Sequence, residues 1–401
     1  MYRGTFAIVD LSAFADNLRL LAKKLREGTK MLIAVKANAY GHDIGPIMEV
    51  IARSGVAQVA VATLEEALTI RKLGFDTPVL ILGALGPHEL RIASENDIDV
   101  IHTQTWGPVQ TLGRFERPLK VHIPLDTGMN RVGFKSFEDV RDIVDAVLQR
   151  SDLKWQGIYT HLACSDAESD EHSRNQIRIF SERIEQLKRA GYDVPMAHVS
   201  NSGGVLRNAE WNFDMVRIGI AAYGYSPDET ILPEPGLQPV MHVYSSITRV
   251  ASVTKGETIG YGATFTASKN MRVATVAIGY ADGYPRILSN RGKILLRGVQ
   301  VPVVGRVCMD QLMIDVSDVP DVRVGEFVTV FGRAVPSDWT PEAWEGTDPE
   351  ERDGWIKETF QRTRQTTQDV LSLTEIAALA ETIPYEVVCG MSSRVPKLHV
   401  N

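Results

Sequence analysis

Short apolar runs, each closed by small or polar residues and followed by a helix-spaced stretch, recur through the first half of the chain. Met31-Leu32-Ile33-Ala34-Val35 is the clearest. A continuous apolar, β-branched run of this kind reads as a strand buried on both faces, as in parallel sheets. An earlier strand is expected over 6–9, with Asp10 capping a helix that carries Leu11, Phe14, Leu18 and Leu21 at helical spacing. Residues 44–52 are helical, 56–62 form a strand, and Thr63 caps the next helix with Glu66 placed as in a capping box. Further strands fall at 78–82, 98–101, 119–125, 153–161, 196–200 and 214–217, with helices over 137–148 and 171–190. Counted from the run that ends at Lys36, eight strands alternate with helices, the α/β pattern of a (β/α)8 TIM-type barrel. A doubly wound open sheet competes with it, but no G-x-G-x-x-G opens a helix after an early strand.

The pattern changes near Pro239. Short strands at 243–253, 271–278, 293–296, 301–304, 312–316 and 327–330 are separated by Gly, Asp and Pro turns, which predicts a mostly β C-terminal domain. The proline-rich stretch 226–239 suits a linker. The expected division is therefore a barrel over 10–235 and a mostly β domain over 236–401, which the N-terminal strand 1–9 joins. Between 334 and 368 an acidic segment holds Trp339, Trp344 and Trp355. It reads as an insertion loop with a short helix, and an interface is one role open to its tryptophans.

At 401 residues two domains are the default, and 44% hydrophobic with 23% charged residues is ordinary for a globular protein. A net charge of -7 argues against nucleic acid as partner. Cys164, Cys308 and Cys389 lie far apart and suggest neither a disulfide framework nor a metal site. The N-terminus lacks a signal-peptide pattern and no apolar run is long enough for a bilayer, so a cytoplasmic protein is expected.

Barrel chemistry sits at the C-terminal ends of the strands. Lys36 ends the first strand, Arg131 follows the fifth, His161 ends the sixth, Ser202 follows the seventh and Arg217 ends the eighth. A lysine closing a buried strand is costly unless its charge is removed or paired, and a Schiff base removes it. Singly, each residue has a plain explanation: a snorkelling lysine, a capping arginine, a satisfied core histidine. Asn201-Ser202-Gly203-Gly204 and Gly219-Ile220 follow the last two strands, where barrels commonly hold phosphate. A Ser-Gly-Gly loop alone is usually a turn. A Schiff-base lysine together with an anion cradle points to pyridoxal phosphate.

The stretch Ala34-Val35-Lys36-Ala37-Asn38-Ala39-Tyr40-Gly41-His42 resembles the cofactor-lysine signature of alanine racemases. The resemblance continues through Asp126-Thr127-Gly128-Met129-Asn130-Arg131, Tyr159-Thr160-His161, Met215-Val216-Arg217-Ile218-Gly219, Gly260-Tyr261-Gly262, Gly279-Tyr280-Ala281-Asp282-Gly283 and Cys308-Met309-Asp310-Gln311. It implies a pyridoxal-phosphate enzyme interconverting L- and D-alanine by two bases, supplying D-alanine for peptidoglycan, and a homodimer with shared active sites. It further implies that Lys36 holds the cofactor as an internal aldimine and that Tyr40, Ser202, Gly219 and Ile220 hold its phosphate, with Asn201 beside them. Arg217 would face the pyridine nitrogen, supported by His161, and Arg131 would bind the substrate carboxylate. Tyr261 would be the second base, Met309 would offer backbone to the carboxylate, and Tyr280 would shape the entrance. Read without a dimer, Tyr261 and Tyr280 are turn tyrosines.

Two positions depart from the family pattern. Many members carry a carbamylated lysine two residues before the Asp of the D-T-G-M run; here Pro124 stands there, so Arg131 is expected to be braced by an anion such as chloride or by a neighbouring side chain. Ser393 occupies a place where some members have a tyrosine near the phosphate, which predicts a roomier pocket and more turnover of serine. Racemisation of serine, lysine or ornithine is the alternative activity.

Overall fold

Eight parallel strands close into a barrel: Lys30–Ala34, Gln58–Val61, Val79–Ile81, Ile98–Ile101, Leu119–Pro124, Leu153–Tyr159, Met196–His198 and Met215–Ile218. The computed structural model describes residues 1–401 except 229, 230, 233 and 364–369, so parts of the expected linker and of the 334–368 segment lie outside the described residues. All eight barrel strands fall where the apolar runs predict them. Alternation along each strand sends one set of side chains inward. Leu32, Ala60, Leu80, Ile101, Tyr159 and Met215 pack together in the barrel interior.

Local signals set the element ends. The Asp10 carboxylate accepts from the Ala13 N–H at 2.8 Å and starts the helix Leu11–Ala22. Thr63 caps Leu64–Lys72 as expected, but the reciprocal half of the capping box is absent. Glu66 turns its carboxylate elsewhere, to the N–H groups of Ala37 and Ala62. Asn201, expected in a loop, caps a helix over Ser202–Arg207.

The chain divides into two compact units, Phe14–Gln238 and Met1–Ala13 with Pro239–Asn401. In the second unit, Phe6–Asp10 pairs antiparallel with the long strand Met241–Val253 and parallel with Lys397–Val400. The tryptophan-bearing segment belongs to this unit's core. It forms two helices, Pro341–Gly346 and Arg352–Thr363. Trp339 is buried against Phe6, Tyr244 and Phe327, with ring centroids 5.5, 4.9 and 5.8 Å away, and its Nε1–H donates to Thr359 Oγ1 at 2.6 Å. Trp344 packs on Phe327, and both it and Trp355 lie partly buried against the same cluster. No helix among the described residues is long and apolar enough to cross a membrane.

Candidate active site

The first barrel strand ends in a left-handed turn. Ala37, Asn38, Ala39 and Tyr40 all have φ between 52° and 54°, and Gly41 closes the turn at 78°. Four successive non-glycine residues in this region cost roughly 1–2 kcal/mol each. The surroundings offset that cost. Ala39 N–H donates to Val35 O at 2.8 Å and Gly41 N–H to Ala37 O at 2.9 Å. The Glu66 carboxylate accepts from Ala37 N–H at 2.6 Å and from Ala62 N–H at 2.8 Å, tying the turn to the second strand. The result presents Lys36 exposed at the strand end and draws Tyr40 back into the protein, where it is buried. Backbone strain held by surrounding bonds is a recurrent mark of functional sites.

Tyr40 reaches the ends of the last two strands. Gly219 and Ala221 both donate backbone N–H to Ser202 Oγ, at 3.0 and 3.3 Å, so the serine hydroxyl proton is left to donate. The Ile220 N–H between them is used by no hydrogen bond among the described residues. A Cβ on Gly219 would come within 2.8 Å of the Tyr40 hydroxyl. Only glycine therefore lets the phenol, the serine and these amides converge. Hydroxyls and amides with no carboxylate among them suit a phosphate.

Beside this cradle lies Arg217, buried with no acidic partner among the described residues. It donates through Nη1 to His198 Nδ1 and O at 3.0 and 2.9 Å, and through Nη2 to Thr160 O, Val199 O and His161 Nδ1 at 2.7, 3.0 and 3.0 Å. None of these five bonds uses Nε. Burial pulls the guanidinium down to about 10, which leaves it charged at neutral pH. His161 is held well below the usual imidazole range, by desolvation first and then by the charges of Arg217, Arg131 and Lys36. Because His161 Nδ1 accepts from arginine, its proton is on Nε2. Arg217 fits a ligand that presents a bare ring nitrogen, and would repel a protonated one.

The remaining expected residues divide by unit. In the barrel, Asn201 has structural work: Oδ1 accepts from Gly204 N–H at 3.0 Å and from Ser165 Oγ–H at 2.8 Å. Arg131 is exposed, and its guanidinium has neither a hydrogen bond nor an ion pair among the described residues. In the β unit, Tyr261, Tyr280 and Met309 are 70%, 41% and 51% exposed. Tyr261 is held out by Gly260 and Gly262, at φ 74° and 71°, and a Cβ on Gly262 would come within 2.8 Å of Arg306 Nη1. Tyr280 and Ala281 donate their N–H groups to the carbonyls of Cys308 and Met309, both at 3.0 Å, so these two loops form one piece. Ser393 is exposed in the same unit.

Three residues behind Arg217 escaped the sequence reading: His198, His122 and Asp99, all buried. Their signal was present as a polar residue set inside an otherwise apolar strand, as in Ile98-Asp99-Val100-Ile101.

Comparison with known proteins places the chain in a family. The model of the alanine racemase N-terminal domain matches residues 9–227, and that of the C-terminal domain matches 240–350. An alanine racemase of Halothermothrix orenii is 34% identical over 412 residues, covering 100% of this chain and 97% of its own. One from Methanococcus maripaludis is 33% identical over 400 residues, covering 99% and 98%. Among solved structures, alanine racemase from Bacillus anthracis with bound L-Ala-P superposes with a TM-score of 0.83 at 31% identity, covering 100% of this chain and 96% of that one. With both domains matched in order and relatives aligned from end to end, the chain belongs to the alanine racemase family of pyridoxal-phosphate-dependent isomerases.

Proposed function

We propose that the chain interconverts L-alanine and D-alanine by a two-base mechanism, with pyridoxal 5'-phosphate held through Lys36, and supplies D-alanine for peptidoglycan in the cytoplasm. The observation that carries this reading is the buried Arg217, bound by carbonyls and imidazoles and by no carboxylate among the described residues. A carboxylate there would instead stabilise a protonated cofactor ring and favour longer-lived carbanion chemistry such as decarboxylation. When bound, pyridoxal phosphate supplies an electron-withdrawing ring conjugated to the substrate nitrogen, which acidifies the Cα proton.

Tyr40, Ser202, Gly219 and Ile220 would hold the phosphate, with Asn201 shaping the loop and Ser393 contributing a hydroxyl. Lys36 Nζ takes or returns the proton on one face of Cα. Inversion needs a base on the opposite face, and in this reading that base is Tyr261 of the partner subunit in a homodimer. A phenol serves only if its pKa falls. His161, with its proton on Nε2 and Arg217 behind it, is suited to stabilise the phenolate. Arg131 and the backbone of the partner subunit's Met309 would bind the substrate carboxylate, and the partner subunit's Tyr280 would narrow the entrance.

The test is Tyr261→Phe, assayed in deuterated water with chiral analysis of the product. Racemisation in both directions should fall by about 10²- to 10⁴-fold, the usual worth of a general base, while Cα exchange without inversion persists for one enantiomer. Unchanged interconversion of both enantiomers would refute the reading.

A further inference from the structure

A line of polar side chains crosses the barrel interior, behind Arg217 and away from the proposed ligand site. Its members are His198 on the seventh strand, His122 on the fifth and Asp99 on the fourth, all buried. Arg217 Nη1 lies 3.0 Å from His198 Nδ1, His198 Nε2 lies 2.9 Å from His122 Nδ1, and His122 Nε2 lies 3.4 Å from Asp99 Oδ2. The same Asp99 oxygen accepts from Gln58 Nε2–H at 2.8 Å.

Hydrogen-bond logic places every proton on this line. Arginine can only donate, so His198 Nδ1 accepts and its proton is on Nε2. That proton is given to His122 Nδ1, which therefore accepts. The His122 proton is then on Nε2, where Asp99 receives it. All donors point one way, from a cation to an anion, and bonds in such a chain polarise one another. A protonated His122 would set two donors against each other somewhere along the line.

The surrounding groups permit this and add little charge. Lys120 Nζ is 3.9 Å from Asp99 Oδ1 but 2.8 Å from Asp97, its nearer partner. Tyr159 stacks on His198 at 5.0 Å between centroids and is kept protonated by burial, which pushes it up to about 12. The crossing from His122 to His198 passes over the intervening sixth strand at Gly157. A Cβ on Gly157 would overlap His122 Nδ1 and come within 2.8 Å of its Cε1. Its φ is not positive, so backbone conformation does not require glycine here. The passage of the imidazole does.

We propose that Asp99 is a positioning residue for Arg217, acting through His122 and His198, and that Gly157 keeps the path open. Two neutral imidazoles let the carboxylate orient the guanidinium without sitting beside it. Arg217 is thereby held in register while its charge stays directed at the ligand. The proposal rests on the reading that Arg217 faces the cofactor nitrogen.

The test is histidine-selective 15N NMR of the purified protein with pyridoxal phosphate supplied, together with steady-state kinetics on alanine. The variants are Asp99→Leu, Asp99→Asn and Gly157→Ala. In the unmutated protein His122 and His198 should each show a single Nε2–H tautomer. Asp99→Asn can keep an oxygen where both Gln58 and His122 donate, so it should retain those tautomers and near-normal kcat. Asp99→Leu should give mixed tautomers at His122 and lower kcat about tenfold with KM unchanged, the order expected for one unmet buried donor. Gly157→Ala should shift the His198 Nε2 resonance and lower kcat likewise. An Nδ1–H tautomer at either histidine in the unmutated protein, or an Asp99→Leu protein indistinguishable from it, overturns the proposal. Should Asp99→Leu not fold, the unmutated tautomers and Gly157→Ala still decide. Failure of the cofactor reading shows separately, as the absence of a visible absorbance band with the tautomers as derived.

Discussion

Removing the Glu66 carboxylate is expected to unseat Lys36, the proposed cofactor lysine, from a distance. The left-handed turn after Lys36 carries roughly 4–8 kcal/mol of backbone cost over its four non-glycine residues. Glu66 is its tie to the second barrel strand, through bonds of 2.6 Å to Ala37 N–H and 2.8 Å to Ala62 N–H. Hydrogen bonds to a charged acceptor contribute about 1.5–3 kcal/mol each, so Glu66→Ala forfeits about 3–6 kcal/mol, comparable to the strain itself. Glu66→Gln keeps one acceptor oxygen and should lose about half of that. The helix start survives both changes, because the Thr63 hydroxyl caps the backbone N–H of residue 66. With the turn free to relax, Lys36 and Tyr40 no longer share one geometry. Titration with pyridoxal phosphate, followed by absorbance, should show affinity weakened about 100-fold in Glu66→Ala and about tenfold in Glu66→Gln, the ratios for about 2.7 and 1.4 kcal/mol. Affinity within threefold of the unmutated protein in Glu66→Ala, with an unchanged melting temperature, would show that the turn holds itself.

Acid should destabilise the fold well above the carboxylate range. Burial lowers His102 to about 4 and holds His161 and His198 well below the usual imidazole value. Above pH of about 6.5 these groups are neutral in both states; below it the unfolded chain binds protons that the folded one refuses, so stability falls as pH drops. At about 1.4 kcal/mol per group and pH unit, urea unfolding between about pH 6 and pH 5 should lose up to about 4 kcal/mol, and a flat profile would count against the buried neutral histidines. Trp339→Ala should cost about 3–5 kcal/mol in equilibrium unfolding while leaving racemisation per folded molecule intact, and a loss under about 1 kcal/mol would contradict its place in the core. Ser393→Tyr should raise the kcat/KM preference for alanine over serine, and an unchanged ratio would remove the argument for a roomier pocket.

Much of the candidate site is legible along the chain because barrel chemistry gathers where strands end. Lys36, His161, Ser202 and Arg217 each follow an apolar run, and the run identifies the position before any fold is known. The eight strands are readable for the same reason, since strands buried on both faces are written as unbroken apolar stretches. The burial of Trp339 is not legible along the chain, because an acidic, polar segment looks like surface and the burial depends on Phe6, Tyr244 and Phe327, which are remote in sequence. The left-handed turn was hidden too, since in Lys36-Ala37-Asn38-Ala39-Tyr40 only Asn38 tolerates that conformation locally and Glu66 supports it from another element.

The sequence by itself determined the element order, the barrel and the chemical groups at its mouth, because these follow from hydrophobic periodicity and from residue types at strand ends. The tertiary structure alone decided how those groups are aimed: which side chains His161, His198 and His122 face, what Arg217 donates to, and why a side chain at residue 157 would meet His122. Orientation depends on contacts across strands that closure of the barrel brings together, and no spacing along one chain encodes them.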